Sequence, residues 1–174
     1  MWKYNGKIIR EGSSWANSNG IQHPPNWHIW SKSEKEAAGM TEVNLEAPPD
    51  SRLYTWNYAA DGVTIEKTAK NLADTTVDGV TSEGVKTALK REVQAQQYRK
   101  LAETDWAVIR KTDKGTAIPS NIQTYRDAIR TKATAMENAI DGAANTDAVA
   151  ALFVTRDKDG NKSGILYDWP ELGS

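Results

Sequence analysis

The side chains in this sequence that could do chemistry are few and poorly spaced for it. His23 and His28 are the only histidines. Five residues apart, they do not share one helix face, and Pro24-Pro25 between them argues against a helix at all. A zinc site would have to draw its other ligands from scattered carboxylates. A hydrogen bond that steadies a turn is the better reading of either ring. Asp157-Lys158-Asp159-Gly160-Asn161 has the composition of a calcium loop. Its glycine is fourth rather than sixth, however, and no glutamate stands at the twelfth position to close the coordination sphere. The Asp-Gly dipeptide reads as a hairpin turn instead. There is no Gly-x-Ser-x-Gly elbow and no glycine-rich phosphate loop. Lys86, Lys90 and Arg91 read as a solvated helix face rather than a phosphate patch. No catalytic residue, metal or cofactor is expected, and the chain is not read as an enzyme.

The aromatic residues are the remaining candidates. There are seven tryptophans and one phenylalanine, and Trp2, Trp15, Trp27 and Trp30 crowd the first thirty positions. Large rings can build the core of a small module that has few aliphatic residues, since each ring buries much area. That reading is preferred to a sugar-stacking surface. A carbohydrate-binding module using Trp15, Trp27 or Trp30 on a host glycan is the alternative.

Composition narrows the classes further. The chain has 174 residues, a net charge of -1 and 26% charged residues. That balance suits a folded, soluble chain and gives no electrostatic reason to expect nucleic acid as partner. The absence of cysteine excludes disulfides, thiolate chemistry and cysteine-based zinc sites. The start Met-Trp-Lys-Tyr lacks the apolar run of a signal peptide, and no window approaches the ~18 apolar residues of a membrane span. The chain is expected to act in the cytosol, or to reach the outside only within an assembly.

The elements that would position these residues fall into three segments. Residues 1–47 read as a small Trp-rich β module. Asn5-Gly6 is a hairpin signal, and the stretch to Pro24-Pro25 is irregular. Ser31 with Glu34 fits a capping box on a short helix ended by Gly39. Met40 to Leu45 returns to the sheet. Residues 48–81 read as a linker with a short strand pair, turned at Asp61-Gly62, and a further turn at Asp78-Gly79. Residues 82–174 read as an antiparallel helical hairpin finished by a β-hairpin. The first helix runs from near Ser82 to about Glu103, with Val85, Leu89, Val93 and Leu101 on one face. The second carries Ile122, Tyr125, Ile129, Ala133, Met136 and Ile140, the three-four alternation of a seam against another helix. Ser120 is its expected N-cap, and the loop between the helices is short. A short helix follows from Thr146, capped by Asn145 or Thr146. The fold class is α+β.

The connection between the two helices carries a family resemblance. Leu101, then Thr104-Asp105-Trp106, then Pro119, then Tyr125-Arg126 with Ile129-Arg130 stand in the order found in tail-fibre assembly and tail assembly chaperone-type proteins of tailed bacteriophages. Those have a leucine-rich helix end, Ser/Thr-Asp-Trp, a proline-bearing loop and Tyr-Arg-x-x-Leu-Arg. This chain has Ile122 where family members often have tryptophan, and Leu101-Ala102 where they often have a double leucine. The stretch from Gly6-Lys7 to Trp30 is also similar to the start of phage structural proteins, including those of cyanobacterial phages.

The resemblance implies a virion tail protein, made in the host cytoplasm, that contacts other tail-fibre or baseplate proteins as a structural part or adaptor. It equally implies an assembly chaperone absent from the mature virion. A homo-oligomer is compatible with either. Within the motif, Thr104 or Asp105 is expected to cap the next turn, and Trp106 to fold back over the helix pair. Tyr125 and Ile129 should lie on the seam. Arg126 and Arg130, four apart, should share one outer face and grip carboxylates on a partner. Arg126, Arg130, Trp27 and Trp30 are thus the candidate contact residues.

Overall fold

Two dipeptides that tolerate positive φ set the first hairpin. In the computed structural model, which describes residues 1–173, Asn5 and Gly6 have φ of 46° and 76°. They join β1 (Trp2–Tyr4) to β2 (Lys7–Ile8), with Tyr4 opposite Lys7. This is the turn that Asn-Gly favours, because its twist matches that of the strands. β3 (Trp15–Ala16) and β4 (Gln22–His23) form a second small hairpin. A 3-10 turn at Pro25–Ile29 leads into α1 (Lys32–Ala37). The capping box is present: Ser31 Oγ accepts from the Glu34 amide at 3.3 Å, and Glu34 Oε2 accepts from the Ser31 amide at 2.7 Å. β5 (Thr41–Glu42) then returns to the free side of β1, giving the order β2-β1-β5.

The chain divides into two compact units, Met1–Thr68 and from Ala69 onward. The strand pair β6 (Tyr54–Tyr58) and β7 (Ile65–Ala69) falls essentially within the first unit. Glu46 ties it there, since its carboxylate accepts from the Ile65 amide at 2.8 Å and its own amide donates to Val63 at 3.4 Å. The core of this unit is Trp27, Met40, Leu53 and Tyr54. Of the early tryptophans Trp27 is in this core, while Trp2, Trp15 and Trp30 are half-buried. Trp15 lies between Tyr4 and His23, with ring centroids at 4.6 Å and 4.2 Å.

The second unit opens with a two-stranded ribbon, β8 (Thr75–Val77) and β9 (Val80–Ser82), turned at Asp78-Gly79. Helices α2 (Val85–Ala102), α3 (Asp105–Lys114), α4 (Ser120–Gly142) and α5 (Thr146–Ala150) follow. β10 (Thr155–Arg156) and β11 (Lys162–Ser163) close the C-terminal hairpin around Asp157–Asn161.

α2 and α4 are antiparallel neighbours. Lys90 Nζ reaches Asp141 at 2.8 Å, and Gln94 reaches Glu137 at 2.9 Å. The seam is built from Val85, Leu89 and Val93 of α2 against Ile122, Tyr125, Ile129, Ala133, Met136 and Ile140 of α4, all buried. Burying one such aliphatic side chain contributes about 1.5–3 kcal/mol, so this seam is the main source of stability in the unit.

Three details differ from the sequence reading. The connection between the long helices is itself a ten-residue helix, α3, ended by Gly115 with φ of 69°. α2 begins after Gly84 rather than at Ser82, and Ser120 is the first residue of α4 rather than its cap. Gly84 is required by close approach. A Cβ there would stand 2.3 Å from the Ala73 carbonyl carbon, while the Val85 and Lys86 amides bond back to Asn71 and Leu72.

Candidate functional site: the α2–α3–α4 junction

α2 ends at Ala102, and three residues later the chain must turn into α3. A turn of this kind leaves carbonyls at the helix end without intrahelical partners. Thr104 supplies part of the remedy. Its amide and its hydroxyl both donate to the Leu101 carbonyl, at 3.1 Å and 3.0 Å. Thr104 is almost fully buried. Its carbonyl accepts from the Ala107 amide at 3.1 Å, which starts α3. No side-chain cap bond is made by Thr104 onto α3, so the capping expected of Thr104 or Asp105 is replaced by this backward bond.

Arg126 supplies the rest. Its Nη1 donates to the Leu101 carbonyl, to Thr104 Oγ1 and to Asp105 Oδ1, each at 2.8 Å. One nitrogen thus locks the end of α2, the turn and the start of α3 onto α4. The Arg126 side chain is 8% exposed, whereas Asp105 is 47% exposed. Arg126 is therefore structural, and the expectation that it grips a partner from an outer face is corrected. Helix geometry explains why. With about 100° per residue, Arg126 lies roughly 40° from the centre of the Ile122–Ile129–Ala133 stripe and Arg130 roughly 80°. Arg126 sits four residues after Ile122 and three before Ile129, and that spacing was the signal. Arg130 remains on the surface, paired with Asp127 at 3.0 Å.

The other motif residues fall around the same junction. Tyr125 and Ile129 are buried in the seam as expected. Burial, and to a lesser degree the Glu103 carboxylate, raises the Tyr125 phenol above its ordinary pKa. Pro119 precedes the first turn of α4, where its carbonyl accepts from the Gln123 amide at 3.0 Å. Leu101 is half-buried. Trp106 corrects its expectation, since it does not fold over the helix pair. It is 50% exposed, with the Arg110 guanidinium 5.3 Å from its ring centre. Ile109 beside it is 66% exposed. Around α3, Trp106 stands between Ile109 and Arg110, with Ile109 the farthest round from the buried Ala107, and Lys111 and Lys114 continue the exposed last turn. Trp106 and Ile109 thus face water among charges of both signs, with Asp105 and Asp113 on their side of the helix as well as Arg110.

The remaining candidates are occupied by structure. Trp27 is buried and its indole N–H donates to the Ser13 carbonyl at 3.0 Å, so its role as a contact residue is corrected. Trp30 is half-buried against the edge of His23 at 5.7 Å. His28 Nδ1 lies 3.2 Å from the Pro25 carbonyl, and His23 is held in the aromatic stack, so the two imidazoles serve separate places. Lys86 donates to the Asp141 carbonyl at 2.9 Å, and Arg91 pairs with Glu83 at 2.7 Å. The supposedly solvated lysines Lys86 and Lys90 thus hold the C-terminal end of α4, where cations are favoured by the helix dipole.

Asp157 accepts from the Asn161 side-chain amide at 2.9 Å and from the backbone amides of Asn161 and Asp159 at 2.8 Å and 2.9 Å, and these bonds of a turn, the Asn161 side chain first, hold its carboxyl below the usual range. Asp168, the twelfth residue from Asp157, is taken by Lys162 and Lys132. Among the described residues, no group of three or more His, Asp or Glu is placed to hold a metal ion. A shallow groove of about 430 Å³ lies between α4 and the chain's end, lined by Ala128, Thr131, Ala135 and Trp169. Its two charged residues, Lys132 and Asp168, are bonded to each other at 3.1 Å. No helix of the described chain is long and apolar enough to cross a membrane. No protein-family model, no curated protein and no solved structure matches this chain.

Proposed function

We propose that this chain is a tailed-bacteriophage tail-associated protein that works by protein–protein contact at the tail fibre or baseplate, as a structural part or assembly adaptor. One observation carries the reading. The residues that bear the phage resemblance, distant in sequence, meet in one built junction: Arg126 of α4 bonds Leu101, Thr104 and Asp105, and Tyr125 and Ile129 pack beneath. A motif whose members converge to fix the direction of α3 is a motif for presenting α3. That helix carries the exposed Trp106 and Ile109. Buried aromatic and arginine anchors are the residues that dominate protein interfaces once covered, and Trp106 stacked on Arg110 is such a pair. The contact face is accordingly Trp106, Ile109 and Arg110, with Arg130 as a peripheral residue.

The test is quantitative peptide mass spectrometry on purified particles of the parent phage beside the infected-cell lysate. Presence in particles at fixed copy number makes the chain a virion part. Abundance in lysate with absence from particles makes it the assembly chaperone of the same family. Co-purification with neither particles nor any tail intermediate overturns the proposal.

A further inference from the structure

The ribbon β8–β9 has no reason within one molecule to be made as it is. Every residue from Thr75 to Ser82 is exposed, and Val77 and Val80 are 68% and 70% exposed. Five of the six strand residues are β-branched, a choice that fits packing on a pleated surface, yet neither face is covered. A two-stranded ribbon is marginal in water, and this one has no third strand. It also lacks the lysine, proline or bulge with which exposed edges are usually blunted.

The turn fixes which backbone groups are open. Asp78 and Gly79 both have positive φ, 50° and 77°, and form a two-residue loop flanked by the pair Val77 and Val80. In such a hairpin the flanking pair exchanges backbone hydrogen bonds and the next pair does not. The N–H and C=O of Thr81 therefore point away from β8, along a free edge, and no backbone partner for them exists among the described residues.

Charge decides which edge can pair with its own copy. When a strand pairs antiparallel with its own copy across a two-fold axis, each side chain faces a symmetry-related one, so like charges near the axis repel. On β8 the flanking Asp74 and Asp78 lie equally far from Thr76 and would meet each other. On β9, Val80, Thr81 and Ser82 are uncharged. The flanking Gly79 would meet Glu83, whose carboxylate is already paired with Arg91 at 2.7 Å. The β9 edge is thus compatible with itself where the β8 edge is not.

We propose that β9 pairs antiparallel with β9 of a second copy of this chain, about a two-fold axis at Thr81, to make a four-stranded sheet. The two Thr81 residues exchange N–H···O=C bonds. The Thr76–Thr81 hydroxyl contact, 2.9 Å within one ribbon, becomes a row of four threonines on one face. The valines gather on the other. This self-association goes beyond the tail assignment and does not rest on it.

Sedimentation velocity on the full chain, over a series from low to high micromolar, tests it with two variants. Thr81→Pro removes the outward N–H and leaves the ribbon's own bonds, as proline is tolerated on an edge. Thr81→Lys places two ammonium groups face to face at the axis. The expected result is a concentration-dependent dimer of the wild-type chain. Both variants should weaken its association constant by roughly tenfold or more, two intermolecular hydrogen bonds being lost in the first, and should melt as the wild type does at concentrations where the wild type is monomeric. If Thr81→Pro disturbs the fold, Thr81→Lys decides alone. A wild-type chain that is monomeric throughout overturns the proposal. So does a dimer that survives Thr81→Lys, or an assembly of odd order.

Discussion

Replacing Arg126 by methionine separates a structural arginine from one held ready for a partner. Three hydrogen bonds to a charged donor, at about 1.5–3 kcal/mol each, set an upper figure that the geometry then reduces. Nη1 carries two hydrogens, so one of its three contacts is shared. The Leu101 carbonyl keeps the Thr104 amide and hydroxyl. Asp105 is 47% exposed and regains water when its partner leaves. What is lost is chiefly one well-made bond to a buried carbonyl and hydroxyl, together with the packing of the arginine stem in the seam. A destabilisation of about 2–3 kcal/mol follows. In a unit of about 100 residues that lowers the melting temperature by roughly 10 °C or more.

Asp105→Asn should cost far less, about 0–1 kcal/mol, because the guanidinium keeps both buried acceptors and the exposed pair is weak. Urea titration followed by far-ultraviolet circular dichroism reads both, since most of the helix lies in this unit. Arg126→Met within about 0.5 kcal/mol of wild type would refute the reasoning and return Arg126 to the list of partner contacts. Asp105→Asn as costly as Arg126→Met would also refute it, by placing the stability in the ion pair rather than in the capped helix end.

Other perturbations have equally definite outcomes. Trp106→Ala should cost about 1 kcal/mol, from partial burial and the Arg110 stack, rather than the ~3–5 of a buried tryptophan, and thermal melting distinguishes the two. Asp61 is lowered from its ordinary 3.8 to about 2, first by the Thr64 hydroxyl and then by the Val63 and Thr64 amides. A carboxyl lowered on folding contributes stability that is complete above its unfolded pKa and is lost as pH falls through the folded one. The first unit should therefore weaken between about pH 4 and pH 2. Asp61→Asn should flatten that acid limb, as read by tryptophan fluorescence; an unchanged limb would mean that other carboxylates carry it. Gly84→Ala should cost about 1–3 kcal/mol by driving a methyl group into the Ala73 carbonyl, and a melting temperature equal to wild type would show that the backbone there yields freely.

The second unit was legible where one physical signal dominated. The α4 stripe was readable because apolar residues at three-four spacing have a single solution, burial against another helix. The turns at Asn5-Gly6, Asp78-Gly79 and Asp157–Asn161 were readable because their residue types tolerate the backbone they adopt. α3 was not. Between Asp105 and Lys114 the exposed apolar residues outnumber the buried ones, so periodicity reported no core face. Its true marks were Asp105 in the first turn, Lys111 and Lys114 in the last, and Gly115 beyond. The contact residues were misjudged for a related reason. The four-residue spacing of Arg126 and Arg130 suggests a shared outer face, but Arg126 also stands in the apolar stripe and is tolerated there because Leu101 and Thr104 offer it acceptors. Trp106 was assigned to the interior by type, yet α3 turns it outward. Nothing local in the sequence reports that direction, since it is set by a bond from a residue twenty-one positions away.

The proposed presentation of α3 to a phage tail protein can be tested at the ring itself. The measurement is photo-cross-linking from a benzophenone amino acid placed at Trp106 in the full chain, expressed during infection by the parent phage, with the cross-linked peptides identified by mass spectrometry. The account predicts one dominant adduct with a tail-fibre or baseplate protein, absent when the same probe is placed at the exposed Lys158 in the C-terminal hairpin. Adducts only with host proteins unrelated to the tail, or equal labelling from both positions, would contradict it.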